Sequence, residues 1–226
     1  MLIDLPADSI ASAVVLLSGG LDSCVTLAAA QTAHKRVRAI LIAYGQTHAR
    51  ELQAARKILS YYPNVRFSSF VLDMTALDSA LTDPAYSDDR ITRASVEEKL
   101  PPSFVPGRNL MMLSLAAGVA YGMNSKYIYG GWNAVDYSGY PDCRPKFLGL
   151  MESAIQEGVH SSLEIVTPLV LLSKDQIIRW GMELKAPLHL TWSCYTGGAT
   201  PCGHCASCDI RQKGFLKAGL PDPAMQ

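Results

Sequence analysis

Ser18-Gly19-Gly20-Leu21-Asp22-Ser23 places two hydroxyls, two adjacent glycines and a carboxylate directly after the apolar run Ala13 to Leu17. An apolar run that breaks into such a turn and resumes with helical character predicts a strand, a tight turn and a helix. Glycines admit positive φ and close backbone approach, and the helix that follows aims unpaired N–H groups and its positive dipole end at the turn. The natural occupant is an anion. A P-loop would separate its glycines by several residues and place a lysine after the second; here the glycines are adjacent and no lysine follows. Asp22 sharpens the reading, because a carboxylate about 4 Å from a phosphate charge costs roughly 4 kcal/mol at an effective dielectric near 20. A bridging Mg²⁺ would remove that conflict.

A second cluster lies near the end of the chain. Cys194, Cys202, Cys205 and Cys208 fall within fifteen residues, and the CxxC spacing of Cys202 and Cys205 recurs at Cys205 and Cys208. Four thiolates at this spacing predict a tetrahedral Zn²⁺ site with no open coordination position, hence a structural metal whose loop is unfolded without it. An iron–sulfur cluster, a redox pair and His204 in place of one cysteine are the competing readings. Crowded cysteines of this kind fit a reducing compartment better than a disulfide framework.

Alternating apolar runs and amphipathic stretches must position these groups. Strands are expected at Ala13 to Leu17, Val37 to Tyr44, Arg66 to Val71, Lys126 to Tyr129 and Glu164 to Thr167. Helices are expected at Leu21 to His34, around Leu52, Ala55 and Leu59, at Leu110 to Met123, at Lys146 to Glu157, and from the capping-box spacing at Ser173 to Leu184. The order predicts an α/β fold: a doubly wound, five-stranded parallel sheet ordered 3-2-1-4-5, with ligand at the switch between the first and fourth strands. Residues 1–190 would form the nucleotide-binding α/β domain and 191–226 a small zinc-binding module. Residues 1–12 are assigned no function, and Leu220 to Gln226 read as a tail.

Composition limits the partners. The 226 residues carry 20 Lys and Arg against 20 Asp and Glu, so no large nucleic-acid footprint is expected. No basic region precedes the first apolar run, and the stretch Leu110 to Met123 is too short to cross a bilayer, so a soluble, cytoplasmic protein is expected.

Loops supply the remaining candidates. Tyr44-Gly45-Gln46 lies at the carboxyl end of the second strand, where doubly wound sheets bind ligands, and His48 follows as a catalytic or capping residue. Asp73 to Pro102 reads as a flap over the site or as an inert insertion. Arg108 opens a helix at the end where a cation is disfavoured, which favours contact with a phosphate or carboxylate over a surface ion pair. Trp132 to Pro145 is rich in Gly, Pro, aromatic and charged residues and reads as a binding loop too polar for the core, in which Trp132, Tyr137 and Tyr140 can stack on a heterocycle and Asp136 or Asp142 can accept its N–H groups. Cys24, on the first helix, reads as a buried small hydrophobe rather than a nucleophile.

The Ser-Gly-Gly-x-Asp-Ser turn resembles the PP-loop of ATP pyrophosphatases, which cleave ATP between the α and β phosphates. Together with Tyr44-Gly45-Gln46, Phe104 to Asn109, the stretch Trp132 to Arg144 (WNAVDYSGYPDCR) and the terminal cysteines, it resembles the 7-cyano-7-deazaguanine synthase family over Val14 to about Gly219. The resemblance implies ATP held by Leu17, Ser18, Gly19, Gly20, Leu21, Asp22, Ser23, Tyr44 and Gln46. It implies catalytic roles for Asp22, Arg108 and Lys174, the last being a phosphate contact to weigh against a solvated lysine. It implies substrate contacts from Asp136, Tyr137, Ser138, Asp142 and Arg144, with Cys143 a loop residue rather than a nucleophile. The implied chemistry is two successive adenylations of 7-carboxy-7-deazaguanine, the first answered by ammonia to give an amide and the second releasing AMP as the nitrile forms, with Mg²⁺ assisting and Zn²⁺ structural. The partners are then these small molecules, without nucleic acid or membrane, and a homodimer is an open alternative to a monomer. Trp132 and Pro102 depart from the family pattern at positions that could alter pocket size, which keeps in view an amide-forming variant or one serving DNA modification, beside a PP-loop tRNA-modifying adenylase and a zinc-stabilised ATP-binding protein without turnover.

Overall fold

The computed structural model describes residues 5–6, 8–44, 50–72, 104–133, 140–196 and 198–224. His48 and the proposed flap at 73–102, together with the site candidates Gln46, Asp136, Tyr137 and Ser138, lie outside the described residues.

The strands are β1 (Ser12–Leu16), β2 (Arg36–Ala43), β3 (Arg66–Val71), β4 (Tyr127–Tyr129) and β5 (Glu164–Val166). They form one parallel sheet in the expected order β3-β2-β1-β4-β5. Side chains alternate across a strand, so each central strand feeds two cores. Ala13 and Val15 of β1, Ala39 and Leu41 of β2, and Tyr127 and Tyr129 of β4 share one core with α1 (Leu21–Ala33) and α2 (Arg50–Tyr61). Val14, Ile40, Ile42 and Ile128 point into the other, against α3 (Arg108–Gly122) and α4 (Pro145–Val159). Full burial of each such aliphatic side chain contributes about 1.5–3 kcal/mol, which is why the central strands are continuous apolar runs.

The helix α5 (Lys174–Glu183) begins at the predicted capping box, with the Ser173 N–H donating to Gln176 Oε1 at 2.9 Å. A final helix, α6 (Ala206–Ala218), was not expected from the sequence. It starts inside the cysteine cluster and delivers Phe215 to the core shared by α1 and α5. Two further expectations are corrected. The described ends of the Trp132 to Pro145 loop are not too polar for burial, since Trp132, Asn133, Tyr140, Asp142 and Cys143 are all buried; Asn133 Nδ2, for one, donates to the Leu169 and Leu172 carbonyls at 3.0 and 2.6 Å. The end of the chain is more than a tail, because the largely covered Asp222 side chain forms an ion pair with Arg211 of α6 at 2.8 Å.

Among the described residues no helix is long and apolar enough to cross a membrane.

Candidate active site

A cavity of about 330 Å³ opens at the switch point, between the ends of β1, β2 and β4. Its floor is the turn after β1. Ser23 Oγ accepts from the Gly19 N–H at 3.2 Å and donates to the Gly20 carbonyl at 3.0 Å, while Ser18 Oγ accepts from the Gly20 N–H at 3.2 Å. The two serines therefore brace the turn. The first helical bond runs from the Cys24 N–H to the Gly20 carbonyl at 3.1 Å, and Gly20 provides no side-chain cap. Residues 21–23 thus carry the N–H groups that precede the helical ladder, beside the cavity. Gly19 has φ +97°, and a Cβ there would lie 2.0 Å from the Glu51 carbonyl oxygen. Only glycine meets both the conformation and the contact, which presses the turn against the first turn of α2.

Asp22 and Lys174 meet across 152 residues of chain: the lysine Nζ donates to both carboxylate oxygens, at 2.7 and 2.8 Å. The solvated-lysine reading is therefore set aside, since Lys174 is buried. Its stem lies under α6, where a Cβ on Gly214 would be 2.4 Å from Lys174 Cγ. Lys174 also shows that Asp22 can be neutralised by a protein cation without a metal.

On another wall the Arg108 guanidinium stands 5.8 Å from the Tyr44 ring centroid and bonds to its hydroxyl. Burial pushes the Tyr44 phenol upward in pKa, with Arg108 opposing. Arg108 begins α3 after Gly107, so the cation at the N-terminal end faces the cavity. Glu51 lines the same space, and burial raises its carboxyl to about 7 against the pull of Arg108.

The cavity thus gathers Leu17, Ser18, Gly20, Leu21, Asp22, Ser23, Tyr44, Arg108 and Lys174, while Gly19 turns toward α2. Asp142 and Arg144 are not in its lining. Asp142 is buried beside Asn109, whose Nδ2 donates to the Asp142 carbonyl at 3.2 Å, and Asp142 Oδ2 has no partner. Burial raises its carboxyl in pKa, again with Arg108 opposing. Arg144 caps α4. Cys143 lines the cavity, but burial pushes its thiol to about 12, as it does that of Cys24, so neither is a ready nucleophile. Glu51, Trp192 and Arg211 line the cavity without having been singled out in the sequence.

The four expected cysteines converge, with all sulfurs within 4.8 Å of one another. A tetrahedral Zn²⁺ with bonds of about 2.3 Å would set them about 3.8 Å apart, so the donor set fits a metal with little movement. Backbone N–H groups already point at sulfur: Cys202 N–H to Cys194 Sγ and Cys205 N–H to Cys202 Sγ, both 3.3 Å. Such bonds stabilise thiolate, and Cys202 is held down to about 5, first by the backbone of His204. His204 itself turns Nδ1 to the Cys202 carbonyl at 2.9 Å and is exposed.

A doubly wound sheet with a Ser-Gly-Gly turn at its switch point defines a PP-loop-type α/β fold, and one solved structure shares that fold. A 4-thiouridine synthetase, solved as an RNA complex with bound ATP, aligns with a TM-score of 0.52 at 17% identity over 92% of this chain and 50% of its own. The model of the family described as "Queuosine biosynthesis protein QueC" matches residues 12–219. The chain belongs to that family. It is 42% identical to a 7-cyano-7-deazaguanine synthase from Oceanobacillus iheyensis over 93% of this chain and 96% of the relative. It is 44% identical to one from Thermoplasma acidophilum over 93% and 90%.

Proposed function

We propose that the protein is an ATP-dependent carbon–nitrogen ligase that converts 7-carboxy-7-deazaguanine and ammonia into 7-cyano-7-deazaguanine. The observation that carries the reading is the cavity that unites the braced Ser-Gly-Gly turn, the Asp22–Lys174 pair and Arg108 in a chain so similar to synthases of that name.

The chemistry needs alignment and charge neutralisation more than a protein nucleophile. The N–H groups at the start of α1 hold phosphate oxygens, and Lys174 and Arg108 bring positive charge from two separate elements. The substrate carboxylate attacks the α-phosphorus and pyrophosphate leaves; ammonia then displaces AMP to give the amide. The amide oxygen is adenylated in turn, and AMP departs as the nitrile forms. Mg²⁺ accompanying the triphosphate would neutralise phosphate charge, with Asp22 as its protein ligand in exchange for Lys174. Residues 191–226 act as the metal module, with Cys194, Cys202, Cys205 and Cys208 holding Zn²⁺ away from the chemistry. Asp136, Tyr137 and Ser138 would contact the heterocycle, with Asp142 and Arg144 supporting that loop from outside the cavity lining.

Incubation with ATP, Mg²⁺, ammonium and 7-carboxy-7-deazaguanine, followed by mass analysis, tests the reading. One AMP for the amide and a second for the nitrile is the expected outcome. Amide as the only product points to the variant that stops early, and ADP in place of AMP removes the adenylation reading.

A further inference from the structure

Glu51 reaches the cavity by a route that the turn motif does not reveal. It lies in the first turn of α2 and is clamped there by the backbone contact with Gly19. It shares the cavity lining with Asp22, Arg108 and Lys174. Several charged groups among the described residues surround it. Arg108 of α3 attracts its charge, Tyr44 at the end of β2 is bonded to Arg108, and Asp22 and Lys174 satisfy each other. No described residue holds the Glu51 carboxylate by a hydrogen bond or ion pair. Of the carboxylates lining the cavity among the described residues, Asp22 is engaged through both oxygens and Glu51 is open.

The reaction proposed above demands a base at this stage. Near neutral pH ammonia exists mostly as ammonium, which has no lone pair with which to attack. We propose that Glu51 is the catalytic base that deprotonates ammonium inside the cavity, an inference that rests on the adenylation reading. The ammonium N–H bond breaks and its proton passes to the Glu51 carboxylate. The freed nitrogen lone pair forms the C–N bond to the adenylated carbonyl carbon. The C–O bond to AMP then breaks with its electron pair going to the phosphate, and a second nitrogen proton passes to water. A carboxyl raised by burial is the stronger base this transfer needs, and it is regenerated by losing its proton to solvent. The thiol of Cys143 is too weak an acid to serve as thiolate, and the Asp142 carboxylate lies outside the cavity lining.

The test separates adenylation from aminolysis in Glu51→Gln. Exchange of labelled pyrophosphate into ATP, with 7-carboxy-7-deazaguanine and no ammonium, reports adenylation and the integrity of the fold. Single-turnover amide formation with ammonium reports the second step. The inference predicts exchange within about threefold of the parent enzyme and amide formation lowered about 100-fold or more. The parent kcat/KM for ammonium should rise through about pH 7, whereas the variant should recover only as pH approaches the pKa of ammonium itself. Amide formation at the parent rate in the variant overturns the inference, and so does parallel loss of exchange and amide formation, which marks a positioning or structural role. Absence of exchange in the parent enzyme removes the adenylation reading, and this inference with it.

Discussion

The Ser-Gly-Gly turn and the cysteine module are neighbours, with the Trp192 N–H donating to the Gly19 carbonyl at 3.0 Å, but are held in shape by different means. The turn is fixed by the protein's own packing: Gly19 against α2, Ser18 and Ser23 within the loop, and Lys174 clamped between Asp22 and α6. Its neighbours Leu17, Cys24 and Val25 are fully or almost fully buried. The module has little of this. Residues 198–200 and His204 are exposed, and the four sulfurs are linked by no disulfide. A metal on the four sulfurs would add order there, while Phe215, the Arg211–Asp222 pair and the Trp192 N–H on the Gly19 carbonyl tie the module to the sheet domain. The lesson is that the turn takes its shape from packing within the chain, whereas the cysteine cluster presents four donor atoms that a metal would complete.

That contrast can be broken from either side. The largest effect is expected from Cys205→Ser, which removes a ligand to a site whose metal contributes on the order of 10–16 kcal/mol to local order. Elemental analysis should show zinc lost, and limited proteolysis should cut within 194–208 while the sheet stays intact. Lys174→Met leaves a partly buried Asp22 charge without its partner, which should cost about 3 kcal/mol of stability. It should also lower pyrophosphate exchange at least about 100-fold. Gly19→Ala places a methyl against the α2 backbone at a strained φ and should cost about 3 kcal/mol, a Tm fall of about 6–12 °C by calorimetry. Asp222→Asn, which weakens the Arg211 clamp, should cost about 2 kcal/mol in denaturant melts and leave metal content unchanged.

Much of the fold was legible because its cues are local. Apolar runs bounded by turn residues marked the central strands, and the more polar β3 also fell at Arg66–Val71 as expected. The helix α6 was hidden because its first turn is spent on Cys208 and its inward face includes Arg211 and Gly214, so no clean apolar stripe appears. The cysteine spacing anticipated the cluster, since its four sulfurs come from one short segment. Lys174 and Asp22 were each singled out, but their pairing depends on the sheet bringing α5 to α1, which no local pattern encodes. Glu51 gave no signal, because an acidic residue in the first turn of a helix is ordinary on dipole grounds alone. Only its contact with Gly19 and its place in the cavity distinguish it. The burial of Trp132 and Tyr140 was missed because polar neighbours masked two aromatic anchors.

The most direct test of the account is a crystal structure with α,β-methylene ATP, which cannot be cleaved at the reacting bond. The account predicts the phosphates within hydrogen-bonding distance of the N–H groups of residues 21–23, with the α-phosphorus open to the cavity. A nucleotide bound elsewhere, with the Ser-Gly-Gly turn empty, would contradict it.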